Sequence, residues 1–101
     1  MKIEITQTDN TVIATVSGRL DTVTASEFEK ALTPYFSANG LELILDCEAM
    51  EYISSAGLRI VLMAHKLLAA NEGRFIIRNL SKEVRSVFDM IGFSRILTIE
   101  Q

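Results

Sequence analysis

Met50-Glu51-Tyr52-Ile53-Ser54-Ser55-Ala56-Gly57-Leu58 is the stretch around which the rest of the chain arranges itself. A short apolar run, Leu41-Glu42-Leu43-Ile44-Leu45, lies before it and is closed by Asp46. A long apolar run at helical spacing, Arg59 to Ala70, follows. The order of strand, loop and hydroxyl-rich helix start is what a βα loop needs to present a reactive or modifiable group. Ser54 and Ser55 can each act as an N-cap, accepting from the free amides of the first turn. Gly57 in that turn costs roughly 1 kcal/mol of helix propensity relative to Ala. Its presence therefore calls for a reason, and close approach of another molecule to the bare backbone is one.

On the N-terminal side, Ile3 and Ile5 alternate with polar residues, Thr8-Asp9-Asn10 makes a turn, and Val12, Ala14 and Val16 alternate again. This is a hairpin with one buried face. Gly18-Arg19-Leu20-Asp21 ends its second strand. Thr24-Ala25-Ser26-Glu27 has the capping-box pattern and predicts a helix with Ala25, Phe28, Ala31, Leu32 and Tyr35 inward, kinked or ended by Pro34. Leu41 to Leu45 predicts a third strand, too apolar for a sheet edge. A helix over about 55–71 follows, roughly 25 Å long, and Glu72-Gly73 ends it. Arg74 to Arg78 predicts a fourth strand. Ser81 caps a third helix with Val84, Val87, Phe88 and Ile91 inward, closed by Gly92. Ile96, Leu97 and Ile99 predict a last short strand.

The predicted fold is thus a single α/β domain over residues 1–101, β-β-α-β-α-β-α-β, with helices packed on a mixed central sheet. Right-handed crossovers in its βαβαβ portion bring the strand C-termini to one end, where ligands and partners meet such sheets. Gly18 to Asp21, Asp46 to Ser54 and Asn79 to Leu80 all belong to that end.

Bulk properties narrow the function. Apolar residues make up 49% of the 101, too many for disorder. The net charge of −3 and the scattered basic residues argue against binding nucleic acid. The single cysteine, Cys47, permits no internal disulfide and fits a buried small hydrophobe in a reducing cytoplasm. Glu4 and Thr6 interrupt any signal-peptide core, and no apolar run approaches the roughly 20 residues that cross a bilayer. A cytoplasmic domain with no direct membrane insertion is expected.

Catalytic readings fail on geometry. Ser55-Ala56-Gly57 is half of a nucleophile elbow, but Ile53 stands where the first glycine is required. The only histidine, His65, lies ten residues along the same helix, roughly 15 Å away and off the face, so it cannot serve as general base. Asp21 and Asp46 are two carboxylates without a third ligand or a phosphate loop, weak for a metal and ordinary as strand-end turn caps. No cofactor or enzymatic activity is expected. The helix after Ser55 is apolar over Leu58, Val61, Leu62, Leu68 and Ala69, and further round through Ile60, Met63, Ala64 and Leu67. That width fits burial for its middle and partner contact near Gly57-Leu58.

Tyr52-Ile53-Ser54-Ser55-Ala56-Gly57-Leu58 resembles the phosphorylation loop of the STAS domain, the domain of bacterial anti-sigma factor antagonists. Gly18-Arg19-Leu20-Asp21 is similar to the Gly-x-Leu-Asp near the start of that domain, and the resemblance covers essentially the whole chain. Many antagonists carry Asp-Ser-Ser-Gly-Leu with the first Ser phosphorylated. Registration on Gly57-Leu58 puts Ser54 at the Asp, Ser55 at the phosphorylated Ser and Ala56 at the second Ser. The acceptor is kept and the neighbouring carboxylate is lost; Ser54 is the competing acceptor.

The resemblance implies a partner-switching phosphoprotein of transcription regulation, a substrate and not a catalyst. Its unmodified form would bind a serine kinase of the histidine-kinase-like ATPase fold that doubles as anti-sigma factor. Phosphorylation of Ser55 would release it, and a PP2C-type phosphatase would restore it. Asp21, Asp46, Ser54, Gly57, Leu58 and Arg59 would shape the docking surface. Arg59, one helical turn beyond Ser55, either reaches back to a phosphate there or is a solvated residue open to an acid on the kinase. A structural STAS subunit of a lipid-transport ATPase complex is the alternative, kept open by the missing Asp. A nucleotide-binding domain is a weaker third, for want of a glycine-rich phosphate loop.

Overall fold

Ile3 and Ile5 on the first strand face Val16 and Ala14 on the second, and this hairpin starts the sheet. The computed structural model describes residues 1–100. Strands β1 (Lys2–Thr8) and β2 (Thr11–Leu20) are antiparallel, joined by a two-residue turn at Asp9 and Asn10. Asp9 takes the left-handed conformation there (φ 53°), which Asp tolerates better than most residues. Helix α1 (Ala25–Phe36) leads to β3 (Glu42–Asp46) and a short β4 (Met50–Ile53). Helix α2 (Ser55–Ala70), β5 (Arg74–Arg78), α3 (Lys82–Met90), a 3-10 turn (Phe93–Arg95) and β6 (Thr98–Glu100) complete the described chain.

The sheet order is β1-β2-β3-β5-β6, with every pair beyond the hairpin parallel. Each crossover after β2 therefore steps in the same direction. Right-handed connections that all step one way lay all their helices on one face. The core forms between that face and the helices. Val12, Ala14, Val16 and Leu20 of β2, with Leu43, Leu45, Phe75 and Ile77, pack against Phe28, Leu32, Val61, Ala64, Leu68, Val84 and Phe88.

Several expectations need correction. Met50 to Ile53 is a strand and not loop, so the order is β-β-α-β-β-α-β-α-β and the sheet has six strands. β4 pairs with the far half of β2, Gly18↔Met50, Arg19↔Tyr52 and Leu20↔Ile53. Its four residues are buried only at the two ends, so no two-residue period marks it. The capping box at α1 does not form: Thr24 is already helical and its side chain caps nothing in the helix. Pro34 does not end α1, which runs on to Phe36. It stands in the last turns, where only the bond to Lys30 is lost, and Lys30 is exposed to water. Of the predicted inward positions on α1, Ala31 and Tyr35 are half-buried, and Phe36 completes the buried row. Ala69 on α2 is exposed, while Ile60 and Ala64 are buried. Ile91 lies beyond the end of α3 and is 48% exposed. Phe93 fills the inward place, its ring edge-on to Phe88 at 6.3 Å after Gly92 turns the chain at φ 83°.

Candidate functional site

The C-terminal half of β2 and the strand β4 hold the two sequence signatures side by side. Gly18, at φ 86°, sits where the register shifts and donates its amide to the Ala49 carbonyl at 2.9 Å. Two residues on, the Ser54 amide donates to the Leu20 carbonyl at 2.8 Å, carrying the ladder to the start of α2. The two signatures are thus hydrogen-bonded neighbours, as their common place at the strand ends predicts.

Ser54 and Ser55 divide the work. Ser54 has extended backbone and is 7% exposed; its hydroxyl oxygen accepts from the Gly57 amide at 3.2 Å, which makes it the N-cap. Ser55 is the first helical residue, exposed, and no side-chain hydrogen bond engages its hydroxyl among the described residues. The exposed hydroxyl stands at the positive end of a 16-residue helix, where an anion is stabilised by the dipole and free amides.

Gly57 has an internal reason. A Cβ there would stand 2.8 Å from Leu20 Cγ and 3.0 Å from Ile53 Cγ1. The close approach that forbids a side chain is that of α2 onto β2 and β4, and not that of another molecule. Leu58 is buried in the core as well. These two residues fix the loop from beneath and present no side chain to a partner.

Asp21 organises the β2–α1 turn. Its Oδ1 accepts from the Val23 and Thr24 amides, both at 3.0 Å, and lies 3.1 Å from the Thr24 hydroxyl. That hydroxyl accepts from the Asp21 amide at 2.9 Å and stands 3.0 Å from the Arg19 carbonyl. The Thr24 amide above all holds the Asp21 carboxyl below its usual pKa; desolvation opposes it, and the Thr24 hydroxyl, the Val23 amide and the Arg19 charge add to the lowering. Asp46 ties the other side: its Oδ1 accepts from the Glu48 amide at 3.1 Å and from Asn79 Nδ2 at 3.2 Å. Both aspartates cap turns, as strand-end aspartates do.

The surface of the segments that carry the two signatures is mixed. Val23, 86% exposed, tops the Asp21 turn, and Tyr52, 40% exposed, stands on β4 with the Arg19 guanidinium 4.1 Å above its ring. Arg59 is exposed and makes no ion pair among the described residues. It lines an open groove of about 450 Å³ between α1 and α2 with Thr22, Ser26, Glu29 and Ala56. The sequence signature includes Tyr52 without marking it as exposed, and nothing in the sequence singles out Val23. What sets them apart is exposure on a turn and a strand that the residues do not announce. Cys47 is buried, and desolvation, with Asp46 adding to it, pushes its thiol up to about 12. His65 is half-buried near the far end of α2, beside Ala69, Gly73 and Arg74. Among the described residues no three metal-ligating side chains converge, and no helix is long and apolar enough to cross a membrane.

A six-stranded mixed sheet with three helices on one face, and a serine at the N-terminus of the second, defines a class that comparison with known proteins makes specific. The STAS domain family model matches residues 2–101, and the chain belongs to that family. It is similar to BtrV of Bordetella bronchiseptica, 32% identical over 99 residues, covering 98% of this chain and 85% of that protein. The anti-sigma-B factor antagonist of Listeria monocytogenes is 30% identical over 101 residues, covering 99% and 89%. Among solved structures, the phosphorylated form of the Bacillus cell fate determinant SpoIIAA superposes with a TM-score of 0.78 at 22% identity, over 99% of this chain and 92% of that one.

Proposed function

We propose that this protein is an anti-sigma factor antagonist of the cytoplasm, switched by phosphorylation of Ser55. In the unmodified state it binds a serine kinase of the histidine-kinase-like ATPase fold that serves as anti-sigma factor, and so releases the sigma factor. The kinase transfers the γ-phosphoryl group of Mg-ATP to the Ser55 hydroxyl, which gives up its proton, and ADP leaves. The phosphoserine ends the interaction, and a PP2C-type phosphatase restores the hydroxyl. The protein acts as substrate and switch, without catalysis of its own. Family membership and the antagonist names of its relatives support the reading.

The observation that carries the choice of acceptor is the contrast between two adjacent serines. Ser54 is buried and its oxygen is committed to the Gly57 amide, whereas Ser55 is exposed. Asp21 and Asp46 serve the docking surface by holding its turns, Ser54, Gly57 and Leu58 by fixing the loop, and Arg59, Val23 and Tyr52 by direct contact. Incubation with the cognate kinase and ATP, followed by mapping of the added phosphate, tests the assignment. One phosphate on Ser55, abolished in Ser55→Ala, is expected. Phosphate on Ser54, or its persistence in Ser55→Ala, overturns it.

A further inference from the structure

Among the described residues, the crossovers that lay every helix on one face leave the other face of the sheet without a layer of helices over it. Strand registers arrange the outward residues of that face in rows. The middle row is Ile13, Ile44, Ile76 and Thr98. Toward the strand starts the row is Thr11, Glu42 and Arg74; toward the ends it is Thr15, Asp46, Arg78 and Glu100. Ile44 and Ile76 are only 6% and 4% exposed, yet neither belongs to the core cluster on the helix side. Glu42 and Arg74 meet at 3.4 Å, with the arginine side chain still largely exposed. β3 therefore carries an acid on either side of an isoleucine, and its neighbour β5 carries a base on either side of one.

We propose that this face is an interface between two copies of the chain, docked sheet to sheet about a two-fold axis running along the strands between β3 and β5. Such an axis lays β3 of one copy over β5 of the second at the same height. Glu42 then faces the second copy's Arg74, Asp46 faces its Arg78, and Ile44 faces its Ile76, with each contact repeated by symmetry. Further out, Ile13 faces Thr98 and Thr15 faces Glu100, so no like charges meet. An axis across the strands would stack Glu42 on Asp46 and Arg74 on Arg78. The charge pattern thus favours one self-complementary arrangement and opposes the other. Packed sheets lie about 10 Å apart with strands within roughly 30° of each other, within reach of Glu–Arg pairs.

The size of the face sets the strength. Four strands about 4.8 Å apart and about five residues long cover roughly 300 Å² per copy, well under the roughly 800 Å² per partner of a standard interface. The pairs lie at a partly exposed rim, with Glu42, Asp46 and Arg78 half-buried and Arg74 exposed, so the dimer is weak and salt-sensitive. Ser55 lies on the helix side of the molecule, so this interface leaves it open and does not depend on the function proposed above.

Sedimentation of the full chain at low and high salt tests the proposal. A reversible monomer–dimer equilibrium with Kd on the order of 1 mM or somewhat below is expected at low salt, weakening as salt is raised. Glu42→Arg and Arg74→Glu should each weaken association at least about tenfold, since each makes two repulsive contacts per dimer. Combining both changes in one chain, or mixing the two single variants, should restore it, the mixture as a heterodimer. Circular dichroism checks that all variants keep the native fold. A wild-type chain that stays monomeric at millimolar concentration in low salt overturns the proposal. So does a dimer that the single reversals leave intact, or a mixture that does not recover.

Discussion

Adjacent serines with equal chemistry come to opposite roles because a single step along the backbone separates a cap from a helical position. Ser54→Ala removes the acceptor for the Gly57 amide and should destabilise the fold by about 1 kcal/mol in urea denaturation. Ser55→Ala, at an exposed position, should change stability by less than about 0.5 kcal/mol. Gly57→Ala improves helix propensity yet should cost about 1–3 kcal/mol, because its methyl would press on Leu20 and Ile53. A variant as stable as the wild type would show that α2 shifts freely on the sheet. Cys47 is buried too. Its thiol is raised to about 12, so folded protein should resist alkylation at pH 8 and react once denatured. The raised folded pKa leaves stability intact below the unfolded thiol's pKa, and stability is lost as pH rises from there through about 12.

The turn between β2 and α1 is the element on which the site leans. Asp21 holds it through the Val23 and Thr24 amides, and its lowered pKa means that the ionised form is the one that fits. That contribution is present above the ordinary carboxylate pKa and is lost as pH falls through the lowered folded value. The protection factors of the Val23 and Thr24 amides, taken against the intrinsic exchange rate at each pH, should therefore fall at acid pH, and Asp21→Ala should lower them at neutral pH. Unchanged protection in that variant would mean that Thr24 alone holds the turn. The opposite end of the helix layer has its own tie. Asn71 Nδ2 donates to the Phe36 carbonyl at 2.9 Å and to the Leu67 carbonyl at 3.0 Å, joining the ends of α1 and α2. Asn71→Ala should cost about 1 kcal/mol in thermal or chemical unfolding.

For the molecule as a whole, the proposed switch works by charge and bulk at one edge, with the fold unchanged. A phosphate on Ser55 adds roughly −1.5 to −2 charges at an exposed position and displaces no core group. Two-dimensional NMR of the two forms should show shifts confined to residues 18–21 and 47–61 and their contacts. Shifts spread through Phe75–Ile77 and α3 would refute a local switch. Arg59 makes no ion pair among the described residues and stands one turn away, so it should lower the phosphoserine pKa, and Arg59→Ala should raise it toward that of a free phosphoserine. An unchanged phosphorus titration in that variant would remove Arg59 from the anion site.

The sequence by itself determined the periodic elements. Alternation along Ile3–Val16, the apolar run at Leu41–Leu45 and the helical spacing after Ser55 reappear as β1–β2, β3 and α2, because each buries a face whose period is written locally. It also brought Gly18–Asp21 and Ser54–Leu58 to one end of the sheet. Tertiary structure decided what local pattern does not encode. Met50–Ile53 becomes a strand only because the long β2 offers it an open edge beyond β3. Thr24 forgoes its cap because Asp21 engages it first. Gly57 is needed for Leu20, more than thirty residues earlier in the chain, and the roles of Ser54 and Ser55 separate only when that contact sets the start of α2. Burial is a property of the assembled layers, and neighbours distant in sequence supply it.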